Sequence, residues 1–366
     1  MTDGWRRIAG LDGLRAMAVL LVVLDHRLPG LNPHFVGGYA VHIFFVLSGF
    51  LIIGMLNRDR RMIEQGIQSR FQAWRSFMSR RAARILPPYY LLLGILALLS
   101  YWKLSLPIGG GEALSYGLFV SNLYFIVNGW GSFSPSWSLA IEEQFYLLAA
   151  PLLLLLPSKT AGRICLATAA AGFAWNLALC LTIPKTMAPG LDSLSNFGLI
   201  ALGGAFALQR RKSARAAAVW AQPALLVALL LAPLIPDGAS NPVIRQAAQP
   251  LIAALLIAEI RDHQDTPLVR LLEWKGLIYL GQISYGLYLV HQFITAELLL
   301  RVTGGMIDIT AWTPLQQLLP LLLASISVAA CSWHWLEQPI IASAKRSQPS
   351  SRPAQAPASH ARAAAT

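Results

Sequence analysis

Arg15 and His26 lie in the first apolar stretch of the chain, Leu11-Asp-Gly-Leu-Arg-Ala-Met-Ala-Val-Leu-Leu-Val-Val-Leu-Asp-His26. Eleven steps at 3.6 residues per turn make almost three whole turns. One helix face therefore carries both side chains, roughly 16 Å apart along the axis. The stretch reads as membrane-spanning, where charge is costly, so an Arg and a His on one face mark a functional site. A neutral imidazole can take a proton from a hydroxyl, because its ordinary pKa lies near working pH. The bland alternative is that Arg15 snorkels inward and His26 occupies the interface.

Three further groups could do chemistry. The run Phe77-Met-Ser-Arg80-Arg81-Ala-Ala-Arg84-Ile-Leu-Pro87-Pro88 leads into a later apolar stretch. Arg81 and Arg84 are three apart, hence neighbours on a helix, and guanidinium forks suit phosphate. The same arginines could simply anchor the chain at an anionic lipid surface. The run Ser134-Pro-Ser-Trp137-Ser138-Leu-Ala-Ile-Glu142-Glu143-Gln-Phe-Tyr146 opens another apolar stretch. Glu142 is expected at the membrane level of His26, which would make a carboxylate–imidazole acceptor site; the two acids could also be wet, dipole-favoured residues of a first turn. Tyr124, Trp130 and Trp137 could form an interfacial aromatic belt or present flat faces to a sugar ring. In Val41-His-Ile-Phe-Phe-Val-Leu-Ser48-Gly49-Phe50, Ser48 is a candidate substrate contact, unless Ser48-Gly49 only lets helices pack closely. Ser48, Trp137 and Ser138 are the candidate substrate-binding residues. Ile283-Ser-Tyr285-Gly-Leu-Tyr288-Leu-Val-His291 and His334-Trp-Leu-Glu337-Gln-Pro339 also put polar groups in or near apolar stretches.

These groups need elements to hold them. The 366-residue chain is 55% hydrophobic and 13% charged, against about 25% charged residues in a soluble domain. Its net charge of +12 is interleaved between apolar runs, the pattern of topology determinants and not of a nucleic-acid binder. Cys165, Cys180 and Cys331 all fall in apolar segments, which suggests neither a disulfide framework nor a metal site. The expected fold is all-α: a polytopic bundle of about ten transmembrane helices near 11–28, 36–56, 83–102, 139–156, 163–183, 192–209, 217–236, 243–260, 277–300 and 314–335. The broken apolar stretch 113–128 reads as re-entrant or interfacial. The first span follows Arg6 and Arg7 like a signal peptide, but without a small-residue cleavage site it reads as an uncleaved anchor. With the N-terminus in the cytoplasm, 23 Lys and Arg fall in inside segments, 5 in outside segments, and Arg15 within a span. The positive-inside rule favours that orientation, with both termini cytoplasmic. Residues 1–342 make the membrane domain, and 343–366, rich in Ala, Ser, Pro and Arg, read as a disordered basic cytoplasmic tail. No internal repeat is evident.

The chain resembles the membrane-bound acyltransferase-3 family, which includes polysaccharide and lipopolysaccharide O-acetyltransferases. The matching pieces are Gly13-Leu-Arg15 followed by His26, Ile43-Phe-Phe-Val-Leu-Ser-Gly-Phe-Leu51, Arg80-Arg-Ala-Ala-Arg84-Ile-Leu-Pro, Trp137-Ser-Leu-Ala-Ile-Glu-Glu-Gln-Phe-Tyr146, Ile283–His291 and Glu337-Gln-Pro339, in order over residues 8–340. The sequence departs from the pattern at Gly190-Leu-Asp192, which lacks the Arg that many relatives carry before the Asp. The resemblance implies an acyl-CoA co-substrate, usually acetyl-CoA, with no permanently bound cofactor. It implies a hydroxyl acceptor, often a cell-envelope saccharide outside the bacterial cytoplasmic membrane. Arg80, Arg81 and Arg84 would then bind the donor, His26 would be the base, Glu142 would orient it or the acceptor, and Arg15 would polarise the thioester carbonyl. The bundle would close a pore to water but admit the acyl–pantetheine arm. Some relatives carry an esterase-like extracytoplasmic domain; without one, transfer is expected to finish at the membrane domain. No Gly-x-Ser-x-Gly elbow is present, which favours direct transfer over an acyl-enzyme. The rival readings are an acyltransferase for a small molecule such as a macrolide, and a multi-span transporter.

Overall fold

The computed structural model describes residues 7–28, 36–101, 108–183, 186–209, 214–232 and 241–346. Seventeen α-helices run through them: α1 Leu11–Arg27, α2 Val36–Glu64, α3 Arg70–Tyr101, α4 Gly110–Gly117, α5 Ser121–Asn128, α6 Ser136–Leu155, α7 Ala161–Thr182, α8 Ala188–Leu191, α9 Ser193–Leu208, α10 Arg215–Leu231, α11 Asn241–Asp262, α12 Pro267–Leu272, α13 Lys275–Gln282, α14 Ser284–Val290, α15 Ala296–Val302, α16 Pro314–Ser332 and α17 Gln338–Arg346. A π-helical turn, Trp333–Glu337, joins the last two. Among the described residues there is no strand, and six helices are long and apolar enough to cross a membrane. Large apolar side chains stay exposed along their flanks, for example Leu91, Leu98, Leu147, Leu148 and Leu319. An apolar exterior of that extent belongs in lipid.

Among the described residues each expected span overlaps helix, positions 233–236 of the one at 217–236 lying outside them, but the span expected at 277–300 is not a single rod. It is α13 and α14, a turn after His291, and then α15. Local capping explains the breaks: the Ser284 hydroxyl donates to the Gly281 carbonyl, and Thr295 caps α15 by accepting from the Leu298 N–H. Arg27, from the end of α1, donates to the His291 and Ile294 carbonyls that the turn leaves without helical donors. The stretch 113–128 folds as α4 and α5, each too short to cross, hinged at Phe119 with φ 54°. The helix at the C-terminus runs to Arg346; positions 347–366 of the expected tail lie outside the described residues.

Hydrogen bonds gather the connections into two groups. At one end Arg7 pairs with Glu273, the Ala9 N–H reaches Gln264, Arg60 and Glu64 hold Leu156 and Ser158, Arg215 pairs with Asp265, and Arg261 binds carbonyls 206, 207 and 209. At the other end Arg27 holds 291–294, Ser134 holds Gln292, Asn122 holds Leu191 and Ser193, and Asn176 holds Pro189. None of these bonds joins one group to the other. Between the ends, α9 is pressed between α2 and α7 with no room for side chains. A Cβ on Gly49 would lie 1.7 Å from the Ile200 carbonyl oxygen, and one on Gly203 1.9 Å from that of Val46. Gly172 and Gly198 make the matching contact of α7 with α9. Small residues let helices approach to backbone contact where lipid supplies no hydrophobic drive. Gly49 is thus a packing residue, while Ser48 turns the other way, into a cavity.

Candidate active site

The cavity lies among α1, α2, α3, α6 and α14. Its walls are largely apolar, with Val41, Phe45, Leu51, Ile85 and Leu139 among them. Its polar lining is Arg15, Ser48, Arg81, Arg84, Ser138, Glu142, Tyr146, Ser284, Tyr285 and Tyr288. The arginines come from α1 and α3. Pro87 and Pro88 lie inside α3 one turn beyond Arg84 and remove two N–H donors there. Tyr285 donates to the Ile85 carbonyl at 2.8 Å, fixing α14 against that weakened turn.

The guanidiniums are balanced but not consumed. Arg15 faces Glu142, Asp12 and Arg81, and Arg84 faces Arg15, Arg81 and Glu337. No ion pair within 4 Å engages Arg15, Arg81 or Arg84 among the described residues. The buried Nε atoms of Arg15 and Arg81 make no hydrogen bond. Arg81 lies 5.9 Å from the ring centres of both Phe77 and Tyr146, so aromatic faces hold it in place while its fork stays open. Glu337 reaches this group from the π-helical turn, where its carboxylate accepts from Ser332 at 2.9 Å. Single π-turns inside helices often mark functional sites. Three guanidinium forks converging without ion-pair partners can hold a polyanion.

A short hydrogen-bonded chain continues from there. Tyr146 donates to Glu142 at 2.7 Å, and its oxygen lies 2.7 Å from the Ser48 hydroxyl. Further along, the Ser138 and Tyr288 hydroxyls are 2.7 Å apart. Tyr288 stands next to His291, their rings 5.9 Å apart, and His291 is 5.0 Å from His26, edge to face. His26 belongs to a second, open crevice, with Arg27, Thr295, Glu297, Thr310, Gln317 and Leu321 around it. The His26 Nδ1 is 2.8 Å from the Val22 carbonyl, and the His291 Nδ1 2.7 Å from that of Tyr288. A carbonyl can only accept, so both Nδ1 atoms carry hydrogen, and whenever the ring is neutral the lone pair sits on Nε2.

Several expected residues meet here and others do not. Arg15, Arg81, Arg84, Glu142, Ser48 and Ser138 share the cavity. Arg80 does not: it pairs with Asp59 at 3.6 Å and with Ser76, so a carboxylate on α2 claims it. Trp137 packs edge-on against Phe45 at 5.9 Å and lines neither cavity. Glu142 is not beside His26 but in the arginine cavity, and Arg15 neighbours Arg84 at the far end of α1 from His26. One carbonyl carbon cannot touch both Arg15 and a base roughly 16 Å away along the same helix. Asp192 caps α9 by accepting from the Ser195 N–H at 3.1 Å. Tyr146, Tyr285, Tyr288, His291 and Glu337, which the sequence marks within motifs without assigning them a role, also stand in or beside the site. The i, i+3 steps from Tyr285 to Tyr288 to His291 put these three on one helix face.

Residues 8–334 match the family model described as an acyltransferase domain, acyltransferase-3. The chain is 30% identical to YrhL of Bacillus subtilis over 93% of its own length and 56% of that protein. It is 28% identical to the protein named peptidoglycan O-acetyltransferase OatA in Listeria monocytogenes, over 91% of this chain and 56% of the relative. It is also 28% identical to the protein named O-acetyltransferase OatA in Staphylococcus aureus, over 92% and 57%. It therefore spans little more than half the length of these relatives. No solved structure matches it.

Proposed function

The chain belongs to the acyltransferase-3 family, and on that premise we propose that it moves an acetyl group from cytoplasmic acetyl-CoA to a hydroxyl of an extracytoplasmic saccharide. The observation that carries the reading is the layout along α1. An anion-ready arginine cavity lies at one end of this helix, an exposed imidazole with a free Nε2 lies at the other, and hydroxyl side chains run between them. The relatives' names point to a cell-wall saccharide as the acceptor class.

In this reading Arg81, Arg84 and Arg15 hold phosphates of the donor. The pantetheine arm, whose extended length is comparable to the run of α1 from Arg15 to His26, passes Glu142, Tyr146 and Ser48. The thioester then stops near Ser138 and Tyr288, whose hydroxyls can donate to the oxygen as charge develops on it. His26 takes the proton of the acceptor hydroxyl through Nε2. The alkoxide attacks the carbonyl carbon, the C–S bond breaks, and the imidazolium returns the proton to the leaving thiolate. The two separate groups of loops support ten crossings with both termini in the cytoplasm, as does the charge count, in a bacterial inner membrane.

The test uses inverted membrane vesicles carrying the protein and acetyl-CoA labelled in the acetyl group. Label is expected in base-labile esters on glycan inside the vesicle. Right-side-out vesicles given the same donor outside should show none. Transfer in right-side-out vesicles only, or label found on no hydroxyl acceptor, would refute the reading.

A further inference from the structure

Phe71 and Trp74 begin α3 as an exposed aromatic pair, 63% and 40% accessible, with ring centres 6.0 Å apart. Seven residues separate Trp74 from Arg81, a rotation that returns to within about 20° of the same direction, roughly 10 Å along the helix. Ile85 continues that stripe. Arg81 and Ile85 both line the arginine cavity, so the aromatic pair stands on the outward continuation of one cavity wall. Exposed Arg70 and Arg75 flank it and make no ion pair among the described residues.

A membrane belt does not account for the pair. The uninterrupted apolar run of α3 starts at Ile85. Trp74 precedes it by eleven residues, roughly 16 Å along the axis. The interfacial layer on each side of the hydrocarbon is only about 5–8 Å thick. A core role does not account for it either, since both rings are open to solvent. We propose that Phe71 and Trp74, with Arg70 and Arg75 beside them, form the platform on which the purine ring of the donor's nucleotide stacks. This rests on the acyl-CoA reading above. A flat exposed aromatic surface binds a base through its π-face, and flanking guanidiniums bind the phosphates that come with it. From this mouth the phosphates reach the cavity arginines of α3 about two to three turns further in.

The test compares two donors, acetyl-CoA and acetyl-pantetheine, which lacks the nucleotide, in reconstituted vesicles. For wild type, acetyl-pantetheine should have the higher KM. Trp74→Ala should raise the KM for acetyl-CoA about 5- to 150-fold and leave that for acetyl-pantetheine unchanged. Trp74→Phe should stay within a few-fold of wild type, because the ring remains. Equal changes with both donors, or none with either, would overturn the platform. So would a wild type that uses both donors at one KM, which leaves acyl-CoA as the donor intact. A wild type that uses neither donor fails at the earlier step and refutes the donor reading itself. An effect of Trp74→Ala seen in phosphatidylglycerol vesicles but lost in phosphatidylcholine would overturn the proposal in favour of a lipid anchor.

Discussion

Removing one oxygen atom, in Tyr146→Phe, tests the hydrogen-bonded chain that joins the arginine cavity to the rest of the site. The Tyr146 hydroxyl donates to Glu142 at 2.7 Å and lies 2.7 Å from Ser48. Its ring packs against Phe77 at 6.2 Å and supports Arg81 at 5.9 Å. Phenylalanine keeps the ring and its contacts, so the fold should be retained. What is lost is the bond to Ser48 and, weighing more, the hydrogen bond to a carboxylate facing two guanidiniums. Such bonds contribute about 1.5–3 kcal/mol, because the acceptor is charged and shielded from water. If Glu142 balances Arg15 and Arg81 when the donor arrives, that loss lowers kcat/KM for acetyl-CoA by about 10- to 150-fold. Ser48→Ala should cost less, since Ser48 bonds both Tyr146 and Glu142 but is the weaker of the two donors to the carboxylate. The double variant should lose less than the sum of the two single losses, because both residues bond one another and the same carboxylate. The assay is acetyl transfer in inverted vesicles at matched protein level, with acetyl-CoA varied. A Tyr146→Phe protein within threefold of wild type would refute a role for this chain in donor handling, and strict additivity of the two substitutions would show that the two residues are not coupled.

Other outcomes follow from the same geometry. His26→Ala should insert and accumulate normally but lose transfer by on the order of 10²–10⁴-fold, read as ester content of the glycan; near-normal esters would remove His26 as the base. Arg84→Ala should raise the KM for acetyl-CoA without moving that for the acceptor, and Arg84→Lys should recover only part, because an ammonium lacks the planar fork. Arg80→Ala, whose partner is Asp59, should leave the donor KM unchanged. Gly49→Leu should prevent accumulation of folded protein, since its Cβ alone would overlap the Ile200 carbonyl; a folded, active Gly49→Leu protein would mean that α2 and α9 are not in backbone contact. In a background without the native cysteines, Asn128→Cys should react with an impermeant thiol reagent from outside the cell and Lys159→Cys only after lysis.

Much of the fold was legible because membrane insertion follows two coarse signals, apolar length and Lys/Arg placement, and both survive in a single sequence. Where one helix ended and another began was less legible. Ser284 and Thr295 break the segment after 277 through hydroxyl–backbone bonds that barely alter its hydropathy. Depth was the other failure. Glu142 lies in the second turn of α6, six residues or about 9 Å past its start, while His26 occupies the last turn of α1. Counting both as near the surface ignored that offset and paired residues that occupy different cavities. Arg80 failed for another reason. Its spacing to Arg84 is as good as that of Arg81, and only the position of Asp59 on α2, invisible to periodicity, draws it away.

The contrast between the two halves of the bundle bears on how it could move. Along α2, α9 and α7 the backbones themselves touch through Gly49, Gly203, Gly172 and Gly198, so sliding one helix past another would drive carbonyls into α-carbons. That half behaves as a chassis. The segment α13–α14–α15 is three short pieces joined at hydroxyl caps: α13 meets α1 at backbone distance through Gly281 and Asp12, whereas α14 and the turn after it are tied by side-chain bonds, Tyr285 to Ile85, Tyr288 to Ser138, Gln292 to Ser134 and Arg27 to the 291–294 turn. The helix breaks therefore flank Tyr288 and His291, which stand between the two cavities. The break between α13 and α14 at Ile283 makes Tyr285, Tyr288 and His291 one rigid piece, so any shift of α14 would move all three together and would pull on the Ile85 carbonyl of the arginine-bearing α3, while α2, α9 and α7 stay still.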